Sequence, residues 1–234
     1  MINEMRTIFY RIREELSRGN LWNFFHTQVF INRIATPVEM ALTSSPTSTS
    51  YRQDSEYNYI ELKYSDLSTN IFQYANHSRR YKALQNFKKG WRCISVCIDS
   101  MVVGDVWCSP FREGYAYHRP PDLKMLGIQC VAGEAYAFDM LIDPAYRGKN
   151  LAVPLHRYLH LTLKNEGYRK VYGYYWDDNI PAMWMHRMIK FHELPKRRVS
   201  RFFLLIHARD LGNNGATFLD RQKSRKNEIT KDKS

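Results

Sequence analysis

An α/β fold is what this sequence predicts, and three observations predict it. Runs that alternate apolar and polar residues take turns with runs at helical spacing through residues 57–206. Gly90 and Gly167 stop two of the helical runs. Residues 139–152, Asp-Met-Leu-Ile-Asp-Pro-Ala-Tyr-Arg-Gly-Lys-Asn-Leu-Ala, read as a buried strand, a Pro-ended turn, a basic Gly-containing loop and the first turn of a helix.

Taken in order, residues 1–42 read as an extension before the main domain. Trp22, Phe25 and Val29 fall at helical spacing with Leu21 beside them, which predicts a helix with its apolar side on the domain. Arg11, Arg13, Arg18 and Arg33 flank that part, so the alternative is an interfacial helix making peripheral membrane contact through 20–34. Residues 43–50 are small, polar and Pro-containing, a linker. The boundaries are therefore 1–50 for extension and linker, 51–207 for the domain, and 208–234 for a basic, disordered tail.

Within the domain, 57–63 alternates as a strand. Ser65 and Asp66 cap a helix with Leu67, Ile71 and Tyr74 on one side. A second helix carries Tyr81, Leu84 and Phe87 and ends at Gly90. Residues 91–98 and 101–107 form a hairpin about Asp99-Ser100. The stretch 108–133, with Pro110, Pro120 and Pro121, is a long loop of the kind often used for function. A strand over 134–142 leads into the basic loop, and the next helix runs through Leu155, Leu159 and Leu163. Residues 169–176 are a Tyr-rich strand. Asp177, Asp178 and Asn179 then offer cap oxygens, Pro181 suits a first helical turn, and Met185, Met188 and Ile189 make the apolar side. Residues 195–198 are a basic turn before a last strand at 202–206.

The 234 residues suffice for one substantial core, and 14% are aromatic, so burial is not limiting. The formal charge of +12 favours anionic partners: nucleic acid, acidic lipid, phosphorylated metabolites or an acidic carrier protein. Aromatics interleaved with basic residues as RNA-binding modules have them are missing, which disfavours nucleic acid. Cys93, Cys97, Cys108 and Cys130 show no metal spacing; Cys93 and Cys97 share one strand face and read as reduced core residues. The charged start, with Glu4, Arg6 and Arg11, is not a signal peptide, and no run reaches the ~18 apolar residues a membrane span needs. The expectation is a soluble, cytoplasmic protein.

The chemistry starts at the basic loop. N–H groups at a helix start lack partners inside the helix, and the helix dipole adds positive charge there. With Arg147 and Lys149 beside it, this start suits a phosphate or pyrophosphate. It is not a Walker loop, because the second Gly and the Lys-Ser/Thr pair are missing. Arg147-Gly148-Lys149-Asn150-Leu151-Ala152 resembles the acyl-CoA loop of the GNAT acyltransferase superfamily, Arg/Gln-x-x-Gly-x-Gly/Ala, with Asn150 at the first Gly position. Downstream, Asn179-Ile180-Pro181-Ala182 and the short helix ending at Phe191 resemble the family's second segment, Asn-x-x-Ala-x-x-x-Tyr-x-x-x-Gly-Phe, with Lys190 at the Gly position. The resemblance covers residues 57–207.

It implies an α/β, GNAT-like fold with a mixed, largely antiparallel sheet flanked by helices. It also implies transfer of an acyl group, most simply acetyl, from acetyl-CoA to the amine of a small molecule or a polymer. Pantetheine would pair with the backbone near Leu141 and Ile142, and the pyrophosphate would meet Gly148 to Ala152, with Asn179 also on the cofactor's side. The family's acidic Tyr position falls on His186, which would donate as imidazolium, with Tyr174 and Tyr175 as substitutes. Asp139 and Glu134 are the candidate bases; five residues apart on one strand, they should face opposite ways. The rival donor is an acidic acyl carrier protein, and the rival from another class is a non-catalytic binding module on the CoA fold. His156 and His160 stand four apart as in a zinc helix, yet no Glu follows His156 and no third ligand is evident. They read as packing or surface residues, and no metal is expected.

Overall fold

The computed structural model describes residues 30–42, 56–114, 118–202 and 205–211. Its elements in chain order are β1 (Phe30–Ala41), β2 (Asn58–Leu62), α1 (Tyr64–Ser68), β3 (Gln73–Tyr74), α2 (His77–Lys88), β4 (Arg92–Ile98) and β5 (Met101–Phe111). There follow α3 (Asp122–Leu126), β6 (Glu134–Ile142), a 3-10 turn (Pro144–Tyr146), α4 (Ala152–Asn165), β7 (Lys170–Trp176), α5 (Ile180–Met188), β8 (His192–Glu193), β9 (Arg197–Phe202) and β10 (Leu205–Asp210). The strands make one sheet in the order β10-β9-β1-β7-β6-β5-β4-β2, with β3 beside β5 and β8 beside β1. Only β6–β7 and β3–β5 are parallel among the described pairs; the rest are antiparallel. The mixed, largely antiparallel sheet flanked by helices is therefore as the resemblance implies.

Each face of the sheet carries its own core. Leu155, Leu159 and Leu163 of α4 and Met183 and Met185 of α5 pack with Ile94, Val96, Val171 and Tyr175 on one face. Leu67 of α1, Ala83 of α2 and Leu123 and Leu126 of α3 pack with Trp107, Tyr136 and Phe138 on the other. The spacing of leucines at i, i+4 and i+8 puts all three on the buried stripe of α4. Ile189 and Phe191 are buried just past α5, whereas Met188, placed by its pattern on the apolar side, is 59% exposed.

Several boundaries differ from the sequence reading. β1, assigned to the extension, lies inside the sheet between β7 and β9, with Ala35 opposite Trp176 and Arg33 opposite Val199. A helix through 30–34 is thereby excluded, and Arg33 pairs with Asp178 and lies 4.8 Å from the centroid of the Trp176 ring. The helix read around Trp22, Phe25 and Val29, the linker at 43–50 and the tail beyond 211 fall outside the described residues. Residues 208–210, placed in that tail, belong to β10. Residues 195–198 are not all turn: Arg197 and Arg198 open β9, which pairs with β10 and buries Val199.

The stretch 108–133 also holds more order than a loop. β5 continues through Phe111, opposite Glu134, and α3 follows. Pro110 fits this strand because the ladder to β4 has ended at Cys108–Arg92, so no partner needs its missing N–H on that side. α1 is shorter than predicted and leaves Ile71 58% exposed, while Asp66 accepts from Lys63 N at 2.8 Å to close its start. No described helix is long and apolar enough to cross a membrane.

Candidate active site

β6 and β7 pair over three residues only: Glu134–Lys170, Ala135–Val171 and Tyr136–Tyr172. Beyond these, β6 follows β5, ending with Ile142 opposite Gly104, while β7 follows β1 until Trp176 opposite Ala35. The strands therefore part from Ala137 and Gly173 onward. A cleft opens in the middle of the sheet, edged by backbone groups of β6, including Leu141 and Ile142, that have no strand partner on that side.

On its far side β6 carries a bulge. Asp105 and Trp107 of β5 face Leu141 and Phe138, so two residues of β6, Asp139 and Met140, oppose the single Val106. Asp139 has φ +52°, the left-handed region that Asp tolerates better than most residues. The bulge resets the alternation. Tyr136 and Phe138 lie on the α2 face, and so does Asp139, which meets Lys82 Nζ at 2.7 Å and Arg79 Nη1 at 2.9 Å. Glu134 shares the face of Tyr136 by simple alternation, so the two carboxylates do not point opposite ways.

This geometry bears on both candidate bases. Burial alone would raise the Asp139 carboxyl, but Arg79 and Lys82 overcome it and hold it well below the usual carboxylate range. A carboxylate so committed is a poor proton acceptor. Arg79 also binds the fully buried Asp105 through Nε (3.1 Å) and Nη2, and Tyr74 Oη donates to Asp105 at 2.6 Å. Glu134 accepts from Val131 N at 3.0 Å and stands at the closed end of the cleft.

At the open end, β6 runs into the basic loop. Asp143 caps the 3-10 turn by accepting from Ala145 N at 2.9 Å, and Arg147 Nε reaches back to Ile142 O at 3.4 Å. Gly148 has φ +81° and Asn150 φ +54°. Asn is the ordinary residue best suited to the left-handed region, so it keeps the backbone path that Gly would take there. Among the described residues, the N–H groups of Gly148 through Val153 meet no backbone acceptor. Arg147, Gly148, Lys149 and Asn150 are exposed, and Leu151 and Ala152 turn the chain into α4. The loop whose sequence predicts a phosphate cradle thus lies directly beside the cleft.

Asn179, in contrast, is spent on α5: its Oδ1 accepts from Ala182 N at 3.2 Å as an N-cap. His186 is buried, its Nδ1 2.8 Å from Ala182 O one turn back. Burial pushes its pKa down, and this outweighs the opposing effects of Ala182 and Glu193. That opposes donation as imidazolium. Of the substitutes, Tyr175 is buried beside His186 with its phenol pushed up by burial and by Glu193, and Tyr174 lies on the opposite face.

His156 and His160 join His186 around Phe191, with ring centroids 5.7 Å apart within α4 and 5.6 Å from His156 to His186. Burial, reinforced by neighbouring imidazoles, pushes His156 well down and His160 down to about 3. They are packing residues, as read. No three or more His, Cys, Asp or Glu side chains among the described residues are placed to hold a metal ion. The four cysteines are buried and unbridged; burial pushes the thiols of Cys97, Cys108 and Cys130 up to about 12.

Two site features escaped the sequence reading. Gly173, in Tyr-Gly-Tyr-Tyr, carried a usable signal, since Gly inside a strand marks a close approach or an opening. The Arg79–Asp105 pair carried none, because nothing local ties a helix residue to a strand residue 26 positions on.

No family model matches the chain, and no curated protein matches it in sequence. Solved structures do. A GCN5-related glucosamine N-acetyltransferase region of a fungal multi-domain β-N-acetylglucosaminidase matches with TM-score 0.53 and 10% identity, over 77% of this chain and 22% of that one. A GCN5-related N-acetyltransferase from Sphaerobacter thermophilus matches with TM-score 0.48 and 11% identity, over 86% of this chain and 58% of that one. An aminoglycoside acetyltransferase from an uncultured soil metagenomic sample matches with TM-score 0.41 and 14% identity, over 58% of this chain and 89% of its own. At such identities the likeness is one of fold. The first of these matches decides it: this chain has the GNAT fold of the GCN5-related N-acetyltransferases.

Proposed function

We propose that this protein is an N-acyltransferase, passing an acyl group, most simply acetyl, from CoA to an amine. The observation that carries the reading is the adjacency of two features. The cleft where β6 and β7 part has unpaired strand edges, and at its mouth the 147–152 loop offers N–H groups without a backbone acceptor beside two cations. A pantetheine arm pairs with strand edges as a further strand would, and a pyrophosphate fits N–H groups at a helix start. Acetyl-CoA carries both.

In this reading Leu141 and Ile142 present backbone groups to the arm, and Gly148 to Ala152, with Arg147 and Lys149, hold the phosphates. The amine enters the cleft and attacks the thioester carbonyl carbon. The acceptor is a small molecule or a polymer carrying that amine. An acidic acyl carrier protein is the rival donor, favoured by the charge of +12.

Calorimetry with acetyl-CoA tests the reading. The double variant Arg147→Glu/Lys149→Glu should keep its circular dichroism spectrum and lose most of its affinity, since each charged contact contributes roughly 1.5–3 kcal/mol. Unchanged affinity in the folded variant overturns the reading. Binding of an acyl carrier protein in place of acetyl-CoA assigns the other donor.

A further inference from the structure

The surroundings of His186 settle which of its nitrogens carries hydrogen. Its Nδ1 lies 2.8 Å from Ala182 O, and a carbonyl oxygen only accepts, so the partner assigns the hydrogen to Nδ1. The ring is neutral at pH 7, because burial disfavours the imidazolium. Its remaining lone pair is on Nε2. That atom stands 3.7 Å from the point a Cβ on Gly173 would occupy, and the same point is 3.5 Å from Ala137 O. Ala137 and Gly173 are the residues at which β6 and β7 part. The lone pair therefore sits at the head of the cleft, over Gly173, which has no side chain of its own, with Val38 Cγ2 of β1 3.5 Å from the same point.

We propose that His186 is a proton carrier that accepts first and donates second, its Nε2 taking a proton from the attacking amine and returning it to the CoA sulfur. This rests on the acyltransferase reading. The neutral amine nitrogen forms a bond to the thioester carbon, giving an oxyanion and an ammonium. Nε2 removes one ammonium proton and becomes N–H, so the ring is transiently imidazolium. The oxyanion re-forms the carbonyl, the C–S bond breaks with its electron pair on sulfur, and Nε2–H gives its proton to that thiolate. The products are an amide and a thiol, and His186 is neutral again with Nδ1 still bound to Ala182. No second base is needed, which agrees with Asp139 being held by two cations and Glu134 lying at the closed end.

The groups that face the ring suit a charge that comes and goes. His156 and His160 approach from α4, Tyr175 from β7, Glu193 from β8, and Arg187 of the same helix pairs with Glu193 at 2.8 Å. Glu193 and Ala182 favour the imidazolium, while burial outweighs them and discourages its persistence.

The test uses the full chain with ¹⁵N-labelled histidine, His186 assigned by loss of its signals in His186→Gln. Two probes are compared, CoA and desulfo-CoA, which has the same phosphates and arm without the thiol. The free protein should show His186 protonated at Nδ1 alone. CoA should shift the Nε2 resonance as S–H donates to it, and desulfo-CoA should bind with similar affinity and leave it in place. Gly173→Ala, whose methyl meets its neighbours only at ordinary contact distance, should suppress the CoA-dependent shift by filling the space before Nε2. An Nε2–H tautomer, or CoA that binds without moving Nε2, overturns the proton-carrier role and leaves the acyltransferase reading standing. Absence of CoA binding removes both this role and CoA as the donor.

Discussion

Arg79 holds Asp139 from two directions: its Nη1 is 2.9 Å from the carboxylate and its Nη2 is 2.7 Å from the same residue's carbonyl oxygen. A helix residue thereby fixes both the side chain and the backbone of the β6 bulge. The guanidinium is anchored in turn by Asp105, which has no exposure to solvent.

Removing the cation should therefore cost more than a surface charge would. Arg79→Ala leaves Asp105 buried and unpaired, and breaking such a pair costs about 3–5 kcal/mol. Urea unfolding should show that loss; one below ~1 kcal/mol would contradict the network. Asp139→Asn should cost less, since Asp105 keeps its partner. The sign of its pH dependence follows from a carboxyl held below its unfolded value. Its contribution is complete above that value, near pH 4, and disappears as pH falls through the lower folded value.

Asn150 tests the loop through its backbone. With φ +54°, Asn150→Gly should keep both stability and acetyl-CoA affinity. Asn150→Val should lower both, because a β-branched residue in the left-handed region costs roughly 1–2 kcal/mol or distorts the loop. Thermal melts and calorimetry on the two variants read the difference.

The N-terminal segment divides at Phe30. Deleting 1–42 removes the strand between β7 and β9 and should abolish the cooperative melt. Deleting 1–29 leaves every described strand pair in place and should retain one. A folded, cooperatively melting protein lacking 1–42 would rule out β1 as part of the sheet.

How much of this could be read from the sequence depended on the range of the interaction. The strand at Glu134–Ile142 and the helix through Leu155, Leu159 and Leu163 were legible because apolar periodicity is a local record of burial. The loop at 147–152 was legible too, from residue type and order. β1 was not. Its Arg33-Ile34-Ala35-Thr36 has no clean alternation, since Ile34, Ala35 and Thr36 are all buried in the middle of a sheet covered on both faces. The bulge at Asp139 was equally hidden, because counting along a strand presumes an unbroken period of two, and the pairing across to β5 is what breaks it.

The buried imidazoles predict acid lability. His156, His160 and His186 all have folded pKa values below their unfolded value near 6.5. Below about pH 6.5 the unfolded chain binds protons that the folded one refuses, so stability declines from there down toward each folded value. Each unit of depression corresponds to about 1.4 kcal/mol. His160→Phe should flatten this decline in urea titrations between pH 6.5 and 4. An unchanged slope would mean that His160 is protonated in the folded protein.

Turnover should carry the mark of His186 on the acidic side. A residue that must accept a proton is active while neutral, so kcat should fall as pH drops through its lowered pKa and hold steady as pH rises. His186→Gln should lower kcat by about 10²–10⁴-fold with little change in KM for acetyl-CoA. A limb that falls with rising pH would restore the imidazolium-donor role.

β1 is made early and used late. Thr36 bonds Asp177 at 2.9 Å across 141 positions of chain. At 5–20 residues per second, a ribosome releases the second residue roughly 7–30 s after the first. Throughout that interval the strand that will occupy the middle of the sheet has neither neighbour, and its Ile34, Ala35 and Val38, destined for the core, are open to water. β1 can therefore join the sheet only once β7 has emerged, and it gains its second neighbour, β9, later still. The nascent chain should depend on chaperones that shield extended apolar segments.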